Sequence, residues 1–221
     1  MIIDCISDLH GFYPELDGGD LLIVAGDLTA RDSQRELDIF DEWLANQPYK
    51  KKIFIAGNHD NILILEKPQI YKLRIGQKSF ERCEYLCDSG TEFEGLKIWG
   101  SPWTKTFKGM NPNYKAFTVD TEKELAEKWG KIPNDVDILI THCPPFGILD
   151  GIKNEYVGTF FHAGSISLKS FSVDLNPCVH VFGHIHECGG QKLETITTAY
   201  VNASIMDEVY DPVHKPVRVI L

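Results

Sequence analysis

The chain has 221 residues, of which 43% are apolar and 24% charged, and its formal net charge is −10. That length suits a single α/β domain over residues 1–221 and is short for two, and the composition is that of a soluble globular protein. The acidic balance argues against a general DNA- or RNA-binding role, and no apolar run nears the roughly 20 residues that cross a bilayer. Met1-Ile2-Ile3 leads straight into Asp4 and Asp8, with neither a basic start nor a small-residue cleavage site, so a cytoplasmic location is expected. Ile2 to Ile6 reads as a strand ending at Ser7-Asp8. Leu21 to Ala25 is apolar without alternation, the pattern of a strand buried on both faces, and it ends at Gly26-Asp27. Ser33 and Glu36 have capping-box spacing ahead of Leu37, Phe40 and Leu44 at helical spacing. Ile53 to Ala56 is a further buried strand, and residues 62 to 65 are expected in a helix beneath it.

Glu92 to Trp99 reads as two short strands around a Gly95 turn, followed by a long irregular stretch over residues 101–117. Thr121 and Glu124 open another helix with Leu125 and Trp129 on one face. Asp137 to Ile140 is a strand ending at Thr141-His142, and a second long loop runs from Pro144 to about Gly164. Val179 to Phe182 is a strand ending at Gly183-His184, with Leu193, Tyr200-Val201 and Val217 to Leu221 as late strands. Early strand–helix alternation followed by late strands predicts one α/β sandwich with mixed sheets.

Five polar clusters follow these apolar runs: Asp8-Leu9-His10, Gly26-Asp27, Gly57-Asn58-His59-Asp60, Thr141-His142 and Gly183-His184-Ile185-His186. Five of the eight histidines lie in them. Sites in α/β sheets form beyond the carboxyl ends of strands, so these clusters can converge. Asp8 and His10, like His184 and His186, are two apart and can point to the same side of an extended chain. Asp27 offers two oxygens, Asn58 an amide oxygen and His142 an imidazole. Mixed oxygen and imidazole ligation suits Mn²⁺, Fe, Zn²⁺ or Ni²⁺ rather than a thiolate-rich structural zinc site. Taken singly, each cluster has a bland reading: a turn, a helix cap, a hydrogen-bonded histidine. Their joint placement at strand ends makes a metal-dependent hydrolase the leading hypothesis. Two divalent cations would also leave the pocket locally positive on an acidic protein.

The remaining histidines and the cysteines read differently. His180 sits inside an apolar run and is expected to be buried and satisfied, His214 to be solvated, and His162 in the second long loop is a weak substrate-binding candidate. The six cysteines are expected to be reduced; Cys143 and Cys188 flank proposed ligands and are expected to pack beside them.

The ordered set Asp-x-His, Gly-Asp, Gly-Asn-His-Asp, His and Gly-His-x-His resembles the calcineurin-like metallophosphoesterase superfamily, and the match runs from Ser7 to Glu187. Gly100-Ser101-Pro102-Trp103-Thr104, Thr141-His142-Cys143-Pro144-Pro145 and Val201-Asn202-Ala203-Ser204 are similar to the small metallophosphoesterase-domain proteins of the brain protein 239 type, a group akin to class III cyclic nucleotide phosphodiesterases. The resemblance implies a four-layer α/β/β/α sandwich with two mixed β-sheets. It implies that Asp8, His10 and His186 hold one divalent metal, that Asn58, His142 and His184 hold a second, and that Asp27 bridges them. Mn²⁺ is the first choice for both. His59 would face the substrate as acid or phosphate stabiliser, with Asp60 orienting it and Asn58 also touching substrate. A hydroxide shared by the metals would attack phosphorus in line.

The segment Gly26-Asp27-Leu28-Thr29-Ala30-Arg31-Asp32 lacks the protein-phosphatase block Gly-Asp-x-Val-Asp-Arg-Gly, and no capping domain of a repair nuclease is visible. A small phosphodiester remains as the expected substrate, with cyclic or other nucleotides as candidates. Trp103, Phe107, Tyr114 and Phe117 could stack on a base or simply pack the first long loop, while Lys105 and Lys108 could touch a phosphate. The alternatives are a phosphomonoesterase, a protein phosphatase, or a nucleotide-binding or interaction module with little catalysis. All seven ligands and His59 are present, which favours the enzyme. The expected partners are a small phosphoester, no long nucleic acid and no membrane; the sequence is silent on oligomeric state.

Overall fold

The computed structural model describes residues 1–64, 83–107, 109–154 and 159–221. In chain order the first elements are β1 (Ile2–Ile6), β2 (Gly19–Ala25), α1 (Gln34–Asn46) and β3 (Tyr49–Ile55). The central part holds β4 (Cys83–Tyr85), β5 (Ser89–Phe93), β6 (Leu96–Ser101), β7 (Thr104–Lys105), β8 (Thr118–Val119) and α2 (Glu122–Trp129). Then come β9 (Ile138–Thr141), β10 (Gly151–Asn154), β11 (Thr159–His162), α3 (Ile166–Leu175), β12 (Val179–Phe182), β13 (Gln191–Glu194), β14 (Ala199–Asn202) and β15 (Val217–Ile220).

Two mixed sheets face each other. One has the order β15-β1-β2-β3-β4, the other β13-β14-β12-β9-β6-β5. β1 through β4 pair in parallel and β15 closes the edge antiparallel to β1. In the second sheet β6, β9, β12 and β14 run parallel, with antiparallel β5 and β13 at the edges. Ile3 and Cys5, Leu21 and Ile23, and Ile53 and Ile55 meet Ile138, Ile140, Val179, Val181 and Val201 between the sheets. The other face of the first sheet puts Leu22, Val24 and Phe54 against Leu37, Phe40 and Leu44 of α1. Leu139 on the outer face of the second packs with Leu125 and Trp129 of α2 and Leu168 of α3. These three apolar seams make four layers, and they explain why β2 reads as an unbroken apolar run: both of its faces are buried.

Both expected capping boxes form. The Ser33 hydroxyl accepts from the Glu36 amide while the Glu36 carboxylate accepts from the Ser33 amide, and Thr121 and Glu124 repeat the arrangement. Three expectations need correction. The helix over residues 62–65 is a single 3-10 turn at Asn61–Leu63, with residue 65 outside the described residues. The irregular stretch 101–117 contains β7, which pairs with β8 just beyond it. The second long loop carries the β10–β11 hairpin. No described helix is long and apolar enough to cross a membrane.

His180 is fully buried in β12, as its apolar surroundings predict. Its Nε2 lies 2.9 Å from the Thr141 hydroxyl and its Nδ1 2.9 Å from the Ser172 hydroxyl. Burial pushes its pKa down to about 3 from the ordinary 6.5. Below about pH 6.5 the unfolded chain therefore takes up a proton that the folded chain refuses until about pH 3, and stability falls with pH over that window. Its share of the slope is about 1.4 kcal/mol per pH unit. Urea unfolding between pH 7 and pH 4.5 should show a shallower loss for His180→Asn than for the wild type. Equal slopes would mean that His180 charges within the folded state.

Candidate metal centre

The five clusters do converge. Asp8 and His10 follow β1, Asp27 follows β2, Asn58 and His59 follow β3, His142 follows β9, and His184 and His186 follow β12. Parallel pairing brings these strands' carboxyl ends to one edge. The chain is bent hard there: Asp8, His10, Asp27 and His184 all have positive φ, between 41° and 68°. Such conformations are uncommon for residues with a Cβ and gather where function holds them in place. The glycines that precede Asp27 and His184 have steric reasons. A Cβ on Gly183 would stand 2.2 Å from Asp8 Oδ2, and one on Gly26 would stand 2.5 Å from His142 Nδ1.

Asp27 is the hub. Its Oδ2 lies 3.4 Å from His142 Nε2, 3.8 Å from His10 Nε2 and 4.0 Å from His59 Nε2. Its Oδ1 accepts from the His59 amide at 2.8 Å. Asp8 Oδ1 is 3.4 Å from His186 Nε2, and both Asp8 oxygens accept from the His184 amide. Asn58 Oδ1 is 3.1 Å from His142 Nε2. Three groups gather donor atoms within 4.8 Å of one another: Asp8, His10 and His186; His10, Asp27 and His59; Asp27, His142 and His184.

Two imidazoles have their outer nitrogen fixed by a backbone carbonyl. His142 Nδ1 donates to Ala25 O and His186 Nδ1 to Asp207 O, both at 2.9 Å. This turns Nε2 of each ring toward the carboxylates, the usual second contact of a metal-ligating histidine. Burial would raise Asp27, but His142 and His59 hold it well below the carboxylate range. Burial likewise opposes the ionised form of Asp8, and His186 brings it down. Burial would lower His142, yet Asp27 and Asp8 push it up to about 9. His10 goes the other way, down to about 4, because burial outweighs its carboxylate neighbours.

These features fit divalent cations. Among the described residues, the ion pairs of these two buried carboxylates are with imidazoles, not with Lys or Arg. The proton they hold on His142 Nε2 stands where a cation would compete for the same lone pair. His10 Nε2 is buried and has no hydrogen-bond partner among the described residues. A ring nitrogen left bare beside a carboxylate is costly unless a ligand uses it.

Asp60 does something other than orient the His59 ring. It is fully buried and accepts from the Gly57, Leu28 and Thr29 amides and the Thr29 hydroxyl. Its carboxylate thus ties the loop after β2 to the loop after β3, carrying Asp27 and His59 together. Burial and the Asp27 charge push it up to about 7 against the amides' pull. His59 Nδ1 has no partner among the described residues; its plane is set by stacking on Tyr114, with centroids 4.1 Å apart. Sequence reasoning offered Tyr114 for a base, and the structure gives it this histidine.

The centre opens into a cavity of about 620 Å³ lined by Asp27, Asn58, His59, His184 and His186 on one wall. Phe107 and His162 line it further out, whereas Trp103 does not. The Trp103 indole donates to Asp88 and lies under Lys128, packed against Phe117 in the core. Lys105 pairs with Glu122 at 3.7 Å, and Lys108 falls outside the described residues. Cys143 and Cys188 direct their sulfurs to the Pro144 and Gly151 carbonyls, and all six cysteines are unpaired.

Tyr210 is a site residue that the sequence reading missed. Its ring sits 4.8 Å from His10 and 4.9 Å from His186, and its φ is +66°. Asp207 builds this turn: its Oδ1 accepts from the Val209 and Asp211 amides while its carbonyl holds His186. The available signal was the Asp207 side chain two residues before an amide it can cap.

A sandwich of this topology with a histidine–carboxylate centre at its strand ends defines a metal-dependent phosphoesterase. The chain belongs to the calcineurin-like phosphoesterase family, whose model matches residues 1–188. It is 37% identical over 234 residues to metallophosphoesterase domain-containing protein 1 of Homo sapiens, covering 96% of this chain and 68% of that protein. UPF0046 protein C25E10.12 of Caenorhabditis elegans is 34% identical over 95% of this chain and 78% of its own length. Among solved structures, phosphopantetheinyl hydrolase from Mycobacterium tuberculosis superposes with a TM-score of 0.59 at 15% identity, covering 99% of this chain and 95% of that one. TT1561 of Thermus thermophilus gives a TM-score of 0.56 at 15% identity, over 91% and 88%. These two likenesses carry the fold alone.

Proposed function

We propose that this chain hydrolyses small phosphodiesters, cyclic or other nucleotides among them, with two divalent cations on either side of Asp27. The observation that carries this reading is Asp27 Oδ2 lying within 4.0 Å of ring nitrogens from three separate loops. Asp8, His10 and His186 would hold one cation, Asn58, His142 and His184 the other, and Asp27 would touch both. Oxygen and imidazole donors favour Mn²⁺, with Fe, Zn²⁺ and Ni²⁺ as alternatives. When bound, such ions neutralise phosphoryl oxygens and make water acidic enough to react near neutral pH.

His59 is then the proton source. Its Nε2 faces the same carboxylate oxygen as the ligand rings, and Tyr114 holds its plane. A proton on Nε2 would pass to the departing alkoxide oxygen. Asn58 and His59 together form the substrate-facing part of this wall. Six unpaired cysteines suit a reducing compartment such as the cytoplasm. The net charge of −10 suits a small substrate over a long nucleic acid.

The test is Mn²⁺-dependent hydrolysis of bis-p-nitrophenyl phosphate, followed by 2′,3′- and 3′,5′-cyclic nucleotides. Metal-dependent turnover of diesters supports the reading. Turnover of p-nitrophenyl phosphate alone would replace it with a phosphomonoesterase, and no turnover of either ester would return the chain to a binding role.

A further inference from the structure

The cavity is far larger than its chemistry needs. Its volume of about 620 Å³ lies within the range of pockets that enclose a whole small-molecule ligand, whereas the centre and one phosphoryl group would occupy one wall. The rest is an annex. Its apolar lining is Phe146, Ile152, Phe161 and Ile166 from around the β10–β11 hairpin, together with Phe107. Phe107, Phe161 and Ile166 remain between 49% and 59% exposed, so a broad apolar lining faces water. Contiguous apolar surface inside a concave site is the ordinary mark of a ligand-binding region.

One imidazole is held rigidly in this annex. His162 Nδ1 lies 2.7 Å from Asp150 Oδ1, and the Asp150 side chain is fully buried. The other Asp150 oxygen accepts from the Gly147 and Gly164 amides. With Nδ1–H donated to that fixed carboxylate, His162 Nε2 is left to face a ligand. Phe146 and Phe160 each meet its ring edge-on at 5.2 Å, which limits its rotation. A buried carboxylate, two amides and two aromatic edges hold one imidazole in place.

Charge narrows the ligand. Glu122, Glu187 and Glu208 line the same cavity. Lys105 is the one cationic side chain among its described lining residues, and Glu122 already faces it. Among the described lining residues, the carboxylates outnumber the lysine, which disfavours a second phosphate.

We infer that this annex receives the organic arm of the substrate: an uncharged, ring-bearing group on a single phosphoester, stacked on Phe161 and hydrogen-bonded at its edge by His162. Nucleoside polyphosphates and other arms with further negative charge are rejected. The inference rests on the phosphodiesterase reading for its phosphate end, and its test avoids turnover. Sulfonates are tetrahedral monoanions that this centre cannot cleave, so calorimetric binding of methanesulfonate, benzenesulfonate, 3-hydroxybenzenesulfonate and 1,3-benzenedisulfonate to the Mn²⁺-loaded protein isolates the arm.

The wild type should bind benzenesulfonate about tenfold tighter than methanesulfonate. It should favour the hydroxylated ring about threefold over the plain one and bind the disulfonate more weakly than either. Phe161→Ala should bring the ring-to-methyl ratio near one. His162→Phe should keep that ratio and erase the hydroxyl preference. Equal affinities for the methyl and ring compounds in the wild type, or a disulfonate that binds best, would overturn the inference. These selectivities together with no diester hydrolysis would keep the annex and remove the phosphodiesterase; diester hydrolysis with no selectivity would do the reverse.

Discussion

Asp27→Asn should lose tight binding at both cation positions and about 10³-fold or more of diester turnover, a barrier increase of about 4 kcal/mol. The reason lies in the number of groups that meet one oxygen. Asp27 Oδ2 stands 3.4 Å from the His142 ring on one side and 3.8 Å from the His10 ring on the other. An amide can still accept the His59 backbone N–H, so the local fold survives. It cannot supply the charge that two cations would share. With that charge gone, His142 also loses the first carboxylate partner that raises it. Metal content after gel filtration, read beside circular dichroism, separates this outcome from unfolding. A folded variant still carrying two tightly held ions would show that Asp27 is no bridge.

His59→Ala should behave in the opposite way. Both cations stay, and turnover of diesters with alkoxide leaving groups falls about 10²–10⁴-fold. Hydrolysis of p-nitrophenyl esters should suffer less, because nitrophenolate departs without a proton. The contrast between leaving groups is the diagnostic. His59 also lies in a metal-capable group with His10 and Asp27, so the two roles make different predictions. Loss of one ion in His59→Ala, with both leaving groups slowed alike, would make His59 a ligand. Rates equal to the wild type on an alkyl diester would remove it from the chemistry.

Much of this centre was legible because its residues are fixed by backbone rules. Strands buried on both faces read as apolar runs, and the polar residues that end them mark where sites collect. Gly26 and Gly183 precede Asp27 and His184 because a side chain there would strike His142 or Asp8, so the Gly-Asp and Gly-His pairs record a packing constraint. The two capping boxes were legible for a similar reason, since the signal is confined to four residues.

What was not legible depends on contacts between distant segments. α3 fully buries Leu168 and Ser172 while its Ile166 and Val173 stand exposed, so its apolar residues do not mark one buried face. The β10–β11 strands leave their described side chains largely open, and without a buried face there is no alternation. Asp60 follows the His59 it was expected to orient, yet its donors come from residues 28, 29 and 57. Trp103 belongs to the Gly100-Ser101-Pro102-Trp103-Thr104 segment, yet its indole is claimed by Asp88 and Lys128. Tyr210 reaches His10 across 200 residues of chain, a proximity that only the closed first sheet and the Asp207 turn create.

Anomalous diffraction from crystals grown with Mn²⁺ addresses the dinuclear centre most directly. The expected map has two peaks flanking the Asp27 carboxylate, one among Asp8, His10 and His186 and one among Asn58, His142 and His184. A single peak away from Asp27, or none at saturating metal, would contradict a shared centre and the hydrolysis built on it.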